Sequence, residues 1–127
     1  METGIKGTKE VIVTDQNTAI ALGSGTLRVF ATPAMVALVE ETAWRSVADA
    51  LEEGQATVGT LLNIAHTSPT PIGAKVRCET VLTEIDSRRL VFKAEIFDEK
   101  GLIGSGTHER FVINEASFAQ KAEKKKQ

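Results

Sequence analysis

The chain has 127 residues, of which 42% are hydrophobic, 25% charged and 5% aromatic, and its formal net charge is −2. This length predicts one domain spanning residues 1–127, and the small net charge gives no reason to expect a nucleic acid or a membrane surface as partner. The N-terminal residues METGIKGTKE lack the apolar centre of a signal peptide, and no apolar run is long enough to span a membrane.

The cysteine and histidine content argues against disulfide and metal chemistry. Cys78 is the single cysteine, so it cannot form an internal disulfide, and the two histidines form no cluster with metal-ligand spacing. We therefore expect a cytoplasmic protein with no bound metal. Residues 115–127, which end in KAEKKKQ, are predicted to form a flexible or helical basic tail.

The N-terminal quarter predicts one strand followed by an irregular segment. Residues 9–15 (KEVIVTD) alternate β-branched side chains and predict a strand. Residues 16–31 (QNTAIALGSGTLRVFA) are apolar but include Gly23 and Gly25 and have no sustained period. We expect this cover segment, residues 16–31, to be part strand and part loop.

One long helix is predicted from Thr32 to about Leu51. Threonine is a common N-cap, proline fits the first helical position, and Gly54 is a stop signal. At about 100° per residue, one face of this helix is apolar. That stripe contains Val36, Val39, Ala43, Val47, Ala50 and Leu51, and Glu40 falls within it.

Four strands follow without a second long helix between them. They correspond to residues 57–67, 74–85, 90–98 and 102–114, and the short turns DSRR and DEKG join the last three. Short connections predict antiparallel pairing, and one amphipathic helix on such a sheet predicts an α+β fold. Exposed sheet edges favour a dimer that covers them.

Glu40 and His66 are the two polar residues that the pattern places among apolar ones. An unpaired carboxylate in a core is costly, so Glu40 must be protonated, paired or beside a cavity. His66 shares its strand face with Val58, Leu62 and Ile64, so we predict that both side chains enter one layer, where a carboxylate supports acid–base chemistry by the imidazole. The alternatives are a Glu40 that reaches solvent or a lysine of a second chain, and a hydrogen-bonded core histidine.

Two further features have a structural and a functional interpretation. Thr32 either caps the helix or presents its hydroxyl where first-turn N–H groups stabilise an oxyanion, and both roles can coexist. Residues 104–111 (GSGTHERF) contain two glycines that suggest a bulge or a close backbone approach. We interpret His108, Glu109 and Arg110 as a solvated edge with cross-strand salt bridges, and Cys78 as a core residue.

Three segments resemble the fluoroacetyl-CoA thioesterase family of hotdog-fold proteins: residues 31–43 (ATPAMVALVEETA), 65–73 (AHTSPTPIG) and 104–113 (GSGTHERFVI). The similarity extends over roughly residues 27–114. It implies a hotdog fold, in which a five-stranded antiparallel sheet wraps a long central helix, and a dimer. It also implies that Thr32, Glu40 and His66 form the catalytic set, with Arg110 in the substrate pocket. We expect further substrate contacts from Phe30, Pro33, Met35, Val36, Gly59 and Thr67.

The cover segment departs from the family, which has an aromatic-rich lid before the catalytic threonine. Here the same stretch supplies only Phe30. We therefore expect an acyl-CoA thioesterase that acts on a short or medium acyl chain rather than selectively on fluoroacetyl-CoA. It would need no cofactor, since coenzyme A is part of the substrate.

Several roles remain open from the sequence. Glu40 either orients His66 or attacks the carbonyl as a nucleophile. Candidate contacts to the nucleotide phosphates are Lys75, Arg77, Arg88 and Arg89. The alternative functions are an enoyl- or hydroxyacyl-CoA hydratase–dehydratase, and an acyl-CoA-binding regulatory module without turnover.

Overall fold

One antiparallel sheet of five strands wraps one long helix. The structure, a computed structural model, describes residues 1–127. The strands are β1 (Lys6–Ile12), β2 (Gln55–His66), β3 (Lys75–Asp86), β4 (Arg89–Asp98) and β5 (Gly101–Asn114). The helices are α1 (Ala19–Leu22), α2 (Thr32–Val47) and α3 (Glu115–Glu123). The strand order β1-β3-β4-β5-β2 confirms the predicted α+β class and leaves β1 and β2 as the edges.

Helix α2 begins at Thr32 as predicted, but its cap and its C-terminal end differ from the prediction. Ala31 is the N-cap and makes no side-chain cap bond, so the prediction that Thr32 caps the helix is wrong. Thr32 is the first helical residue, and Pro33 is the second. The helix ends at Val47 and tightens into a 3₁₀ turn over Ala48–Ala50, so the end of the predicted stripe does not reach the core. The buried residues of α2 are Met35, Leu38, Val39, Thr42, Ala43 and Val47.

The central strands follow their predicted faces. On β3, Val76, Cys78 and Leu82 are buried, while Lys75, Arg77 and Glu79 are exposed on the other face. On β4, the buried set is Leu90, Phe92, Ala94 and Ile96. These side chains form the floor on which α2 lies, because alternate residues of a strand point to one face of the sheet.

Strand β2 carries a bulge that changes which residues face the helix. The register with β5 shifts between Gly59 and Leu61, so one extra residue is inserted there. The prediction that Val58 shares the face of Leu62 and His66 is therefore wrong, because the insertion moves Val58 to the opposite face. Beyond the bulge, Leu62 and Ile64 pack on the core as predicted.

Strand β5 lies between β4 and β2, which corrects our interpretation of His108, Glu109 and Arg110 as a solvated edge. His108 is 0% exposed and Arg110 is 5% exposed. Glu109 points to the other face, where its carboxylate pairs with Arg89 at 2.8 Å as a cross-strand salt bridge. The inner face of β5 therefore presents a histidine and an arginine to helix α2, where buried polar groups need partners.

The cover segment contains one helical turn, which the sequence did not predict. Thr18 caps α1 by accepting a hydrogen bond from the amide of Ala21, and Gly23 ends the turn with φ of 71°. Its two ends are joined by an isolated β-bridge between Thr18 and Phe30, and a second bridge joins Val29 to Pro71 in the β2–β3 connection. It is therefore fixed to the β2–β3 connection rather than lying free over the core.

The C-terminal tail is helical through α3 and ends in a 3₁₀ turn of three lysines, residues 124–126. Asn114 caps α3 by accepting a hydrogen bond from the amide of Ser117. All residues of α3 are exposed. None of the helices combines the length and apolar character needed to cross a bilayer.

Candidate active site

Thr32 and His66 meet where the start of α2 lies over the end of β2. The Thr32 Oγ1 atom lies 2.8 Å from His66 Nδ1. The Phe30 ring stands edge-on to the imidazole, with 6.5 Å between ring centroids. His66 Nε2 is inaccessible to solvent and has no hydrogen-bond partner in the chain. One ring nitrogen is thus held by a hydroxyl and the other is unpaired, which is an unusual state for a buried polar atom.

A cavity of about 300 Å³ opens beside this pair. Its walls come from the cover segment, the first residue of α2, the end of β2 and the β2–β3 connection. It is lined by Ala19, Ser24, Val29, Phe30, Thr32, His66, Thr67, Ser68 and Pro69. Among the predicted substrate-binding residues, Phe30 and Thr67 therefore border the same cavity as the hydroxyl–imidazole pair.

The first turn of α2 supplies backbone donors near the same place. The first intrahelical bond runs from Met35 N–H to Ala31 C=O, and Pro33 has no N–H. The amides of Thr32 and Ala34 therefore have no backbone acceptor, as expected at a helix N-terminus. Such groups, with the positive end of the helix dipole, favour negative charge that develops on a nearby oxygen.

Glu40 lies further along α2 and pairs with Arg110 on β5. Arg110 Nη1 lies 3.2 Å from Glu40 Oε2, and the Glu40 side chain is 39% exposed. The guanidinium is also held by Thr57 on β2, to which it donates from Nε to Oγ1 at 2.8 Å and from Nη2 to the carbonyl at 3.0 Å. Burial lowers the pKa of Arg110, and the hydrogen bond to Glu40 opposes that shift. The arginine thus has fixed partners on two strands and the helix.

His108 completes this cluster and is held neutral. Its Nδ1 lies 2.9 Å from the carbonyl of Leu61, which can only accept, so Nδ1 carries the hydrogen. Its Nε2 then accepts from Arg110 Nη1 at 3.1 Å. The pKa of His108 is lowered, chiefly because burial disfavours the imidazolium, with the charge of Arg110 acting in the same direction.

Gly59 makes room for the Glu40 carboxylate. A Cβ atom added at this position would lie 2.3 Å from Glu40 Oε2 and 3.3 Å from Arg110 Nη1. Any other residue would push the carboxylate away, so the glycine allows it to rest directly on the backbone of β2 beside the bulge.

Glu40 and His66 do not meet within one chain. No hydrogen bond or ion pair connects them, since Glu40 pairs with Arg110 while His66 pairs with Thr32. The structure therefore places the three predicted catalytic residues in two clusters, the Thr32–His66 pair and the Glu40–Arg110 cluster (Glu40, Thr57, Gly59, His108 and Arg110). Both clusters lie between α2 and β2.

The other predicted substrate-binding residues take different positions. Met35 is fully buried, and its sulfur occupies the space that a Cβ on Gly104 would need. The close backbone approach expected at Gly104 is therefore made by Met35. Val36 is half-buried, and Pro33 is exposed at the start of the helix.

The basic residues suggested for the phosphates are largely committed elsewhere. Arg77 pairs with Glu79 at 2.8 Å and stacks over Phe97, while Arg89 is held by Glu84 and Glu109. These pairs lie on the sheet face away from α2. The prediction from charge alone did not account for partners on the same or a neighbouring strand, which are common on exposed faces of antiparallel sheets.

Sequence reasoning missed the residues that hold Arg110 beside Glu40. Thr57 and His108 contact Arg110, and neither was a candidate site residue. The alternation of His108 and Arg110 on one strand face was visible in the sequence. What the sequence did not show was that β5 is central, which buries that face.

Comparison with known proteins identifies the family. A family model described as the fluoroacetyl-CoA-specific thioesterase (FlK) matches residues 13–116. The chain belongs to the FlK family. A fluoroacetyl-CoA thioesterase from Streptantibioticus cattleyicolor is 40% identical over 97 residues, which cover 76% of this chain and 70% of the relative.

Solved structures agree with the FlK family assignment. A structure of FlK is 34% identical, covers 98% of this chain and 97% of its own, and has a TM-score of 0.93. An FlK variant in complex with fluoroacetate and CoA is 35% identical, with coverages of 93% and 99% and a TM-score of 0.87. A Thermus thermophilus protein described as a thioesterase superfamily member, 24% identical over 98% of this chain and 93% of its own, shares the fold with a TM-score of 0.91. The predicted hotdog fold and the thioester hydrolase class are thereby confirmed.

The lowered pKa of His108 predicts a pH dependence of stability. The unfolded chain binds a proton at His108 near pH 6.5, whereas the folded chain resists protonation until lower pH. The neutral His108 therefore contributes its full share to the free energy of unfolding above about pH 6.5, and this share is lost as the pH drops toward the pKa of His108 in the folded chain. Urea unfolding midpoints at pH 7.5 and 5.5 should differ more for the wild type than for His108→Gln. An equal pH dependence in both proteins would contradict this assignment.

Proposed function

We propose that this protein hydrolyses the thioester of a short- or medium-chain acyl-CoA to the free acid and CoA, with Thr32, Glu40 and His66 as the catalytic set. The observation that carries the proposal is the 2.8 Å contact between Thr32 Oγ1 and His66 Nδ1 beside a cavity at the start of α2. Family membership supports thioester chemistry, and the relative from Streptantibioticus cattleyicolor is named for fluoroacetyl-CoA.

In this mechanism the thioester carbonyl lies at the N-terminus of α2. The first-turn amides and the Thr32 hydroxyl stabilise the oxyanion that forms as the carbonyl carbon becomes tetrahedral. His66 transfers a proton, which the departing thiolate of CoA accepts when the carbon–sulfur bond breaks. Glu40 either removes a proton from the attacking water or forms a transient anhydride that water opens.

Two chains bring Glu40 and His66 together in this proposal. Strand β2 is an edge, so its outer side has free backbone donors and acceptors that a second β2 can pair. Antiparallel pairing about a two-fold axis places the start of one β2 beside the end of the other. The Glu40–Arg110 cluster of one subunit then lies toward the Thr32–His66 pair of the second, and each homodimer carries two such sites.

The cover segment supports an acyl group other than fluoroacetyl as the preferred substrate. Among the residues that line the cavity, Phe30 is the only aromatic side chain besides His66. A panel of acyl-CoAs that includes fluoroacetyl-CoA, assayed by release of the free thiol, tests this preference. No cofactor enters the proposed chemistry.

A cytoplasmic location agrees with the state of Cys78. This free thiol is buried, and burial raises its pKa to about 11, so it stays protonated and unreactive.

Substitution of Thr32 tests the hydroxyl directly. Thr32→Val removes the oxygen and keeps the branched shape, so we expect kcat for thiol release to fall about 100- to 1,000-fold, while Thr32→Ser stays close to wild type. Thr32 is exposed, so the melting temperature should not change. If the wild type instead hydrates an enoyl-CoA without releasing thiol, and Thr32→Val leaves that hydration rate unchanged, the result would support a hydratase.

A further inference from the structure

The cavity beside the Thr32–His66 pair is lined with hydroxyl groups that have no partner in the chain. Ser24, Thr67 and Ser68 all border it, and none of their hydroxyls makes a hydrogen bond within the protein. Five of the nine lining residues have polar side chains. Pockets for alkyl groups are lined predominantly by apolar side chains, so this composition does not fit a purely aliphatic acyl group.

The backbone that carries these hydroxyls is anchored. The Ser24 amide donates to the carbonyl of Ala19 at 3.0 Å, at the end of the α1 turn. The Thr67 amide donates to the carbonyl of Ile103 on β5 at 2.8 Å. The cover segment is held over the cavity from the other side, where the Phe30 amide donates to the carbonyl of Thr70 at 2.9 Å. Donors on fixed backbone lose little entropy when they bind a polar group, which makes them suited to recognition.

We propose that this cavity selects a short acyl group that carries a hydroxyl at C2 or C3, so that the preferred substrate is a short hydroxyacyl-CoA. This inference rests on the proposed thioesterase function, since the same Thr32–His66 pair would act on the carbonyl. Thr67 directly follows His66 in the chain, and Ser68 follows Thr67, so their hydroxyls lie within a few bonds of the catalytic ring. A substituent one or two carbons from the carbonyl would meet them.

Pairs of acyl-CoAs that differ by one group test the selection. Isobutyryl-CoA has nearly the same shape as 2-hydroxypropionyl-CoA, and isovaleryl-CoA has nearly the same shape as 3-hydroxybutyryl-CoA. In each pair a methyl group replaces the hydroxyl. One net hydrogen bond to a neutral partner corresponds to a preference of about 2- to 12-fold, and two bonds to more than that. We expect kcat/KM for thiol release to favour the hydroxylated member of at least one pair by about tenfold.

Three variants connect the preference to the cavity. Thr67→Val and Ser68→Ala should each lower kcat/KM for the hydroxylated substrate several-fold more than kcat/KM for its methyl counterpart, and so reduce the preference. Thr67→Ser keeps the hydroxyl and should keep the preference. Thr107→Val makes the same chemical change at an exposed position on the opposite face of the sheet and should have no effect.

The outcomes separate this inference from the proposed function. Thiol release from every acyl-CoA with no preference for the hydroxylated members would overturn the inference and leave the thioesterase in place. An equal loss for both members of a pair in Thr67→Val and Ser68→Ala would show that the hydroxyls bind the pantetheine arm, which also overturns it. No thiol release from any acyl-CoA would reject the proposed function itself.

Discussion

Mixing the Glu40→Gln and His66→Ala variants is expected to restore about a quarter of the wild-type thioesterase activity. Each variant alone should lose about 10²- to 10⁴-fold in kcat, because each removes a group that transfers a proton or attacks the carbonyl. In the proposed homodimer, random exchange in an equimolar mixture makes about half of the dimers hybrid. If a site combines Glu40 of one subunit with His66 of the other, each hybrid contains one intact site and one doubly substituted site.

The reason for this expectation is the separation of the two clusters within a chain. Glu40 is held by Arg110 at 3.2 Å, whereas His66 is held by Thr32 at 2.8 Å, and nothing connects the two pairs. The matched controls compare a pair of variants from the two different clusters with a pair from a single cluster. Glu40→Gln with Thr32→Val should also restore activity, while Thr32→Val with His66→Ala should not, because the proposed site takes Thr32 and His66 from the same chain.

Subunit exchange must be demonstrated separately, for example by native mass spectrometry of differently sized variants. If hybrids form and no activity returns, Glu40 and His66 of one chain serve the same site, and the proposed two-chain arrangement is wrong. If every variant is as active as the wild type when assayed alone, the catalytic set itself is wrong.

Gly59→Ala is expected to lower kcat about 100-fold while leaving the fold largely intact. The new Cβ would lie 2.3 Å from Glu40 Oε2, so the carboxylate must move by about 1 Å or more. A displacement of that size in a catalytic group can reduce the rate about 100-fold. The colliding atom is the end of a flexible side chain that is 39% exposed, so the stability cost should be small.

A double-mutant cycle determines whether Gly59 acts through Glu40. If it does, Gly59→Ala combined with Glu40→Gln should be no slower than Glu40→Gln alone, because the second change affects a group already disabled. Thermal unfolding of all three variants controls for stability. Additive losses would mean that Gly59 contributes through its backbone or through Arg110 instead.

Much of the fold was predictable because its patterns are local. Buried and exposed residues alternate along β3 as far as Leu82, where a bulge interrupts the pattern, and along β4 from Leu90 to Ile96. The turn before β5 ends in Gly101, whose φ of 143° favours glycine. The face of Val58 on β2 was predicted wrongly because alternation along a strand fails at a bulge. The bulge after Gly59 reverses the face of Val58, and periodicity cannot detect an inserted residue.

The candidate site was predictable in part. Thr32, His66 and the cavity beside them lie at an element start and an element end, which Pro33 and the prolines after His66 mark in the sequence. The predicted meeting of Glu40 and His66 was drawn from a helix wheel and strand parity. A helix wheel and strand parity show which face of α2 or β2 a residue lies on. They do not show at which point along α2 the strand β2 crosses it.

The amino-acid sequence by itself determined the long helix and the five strands, the buried faces of β3 and β4, and the identity of the polar residues placed among apolar ones, because these depend on spacing within short segments. Only the tertiary structure decided that β5 is central, which buries His108 and Arg110, and that Arg110 binds Glu40 while Thr32 binds His66. Strand order brings together residues distant in the chain, and a hydrogen bond requires contact at about 3 Å, which no sequence period specifies.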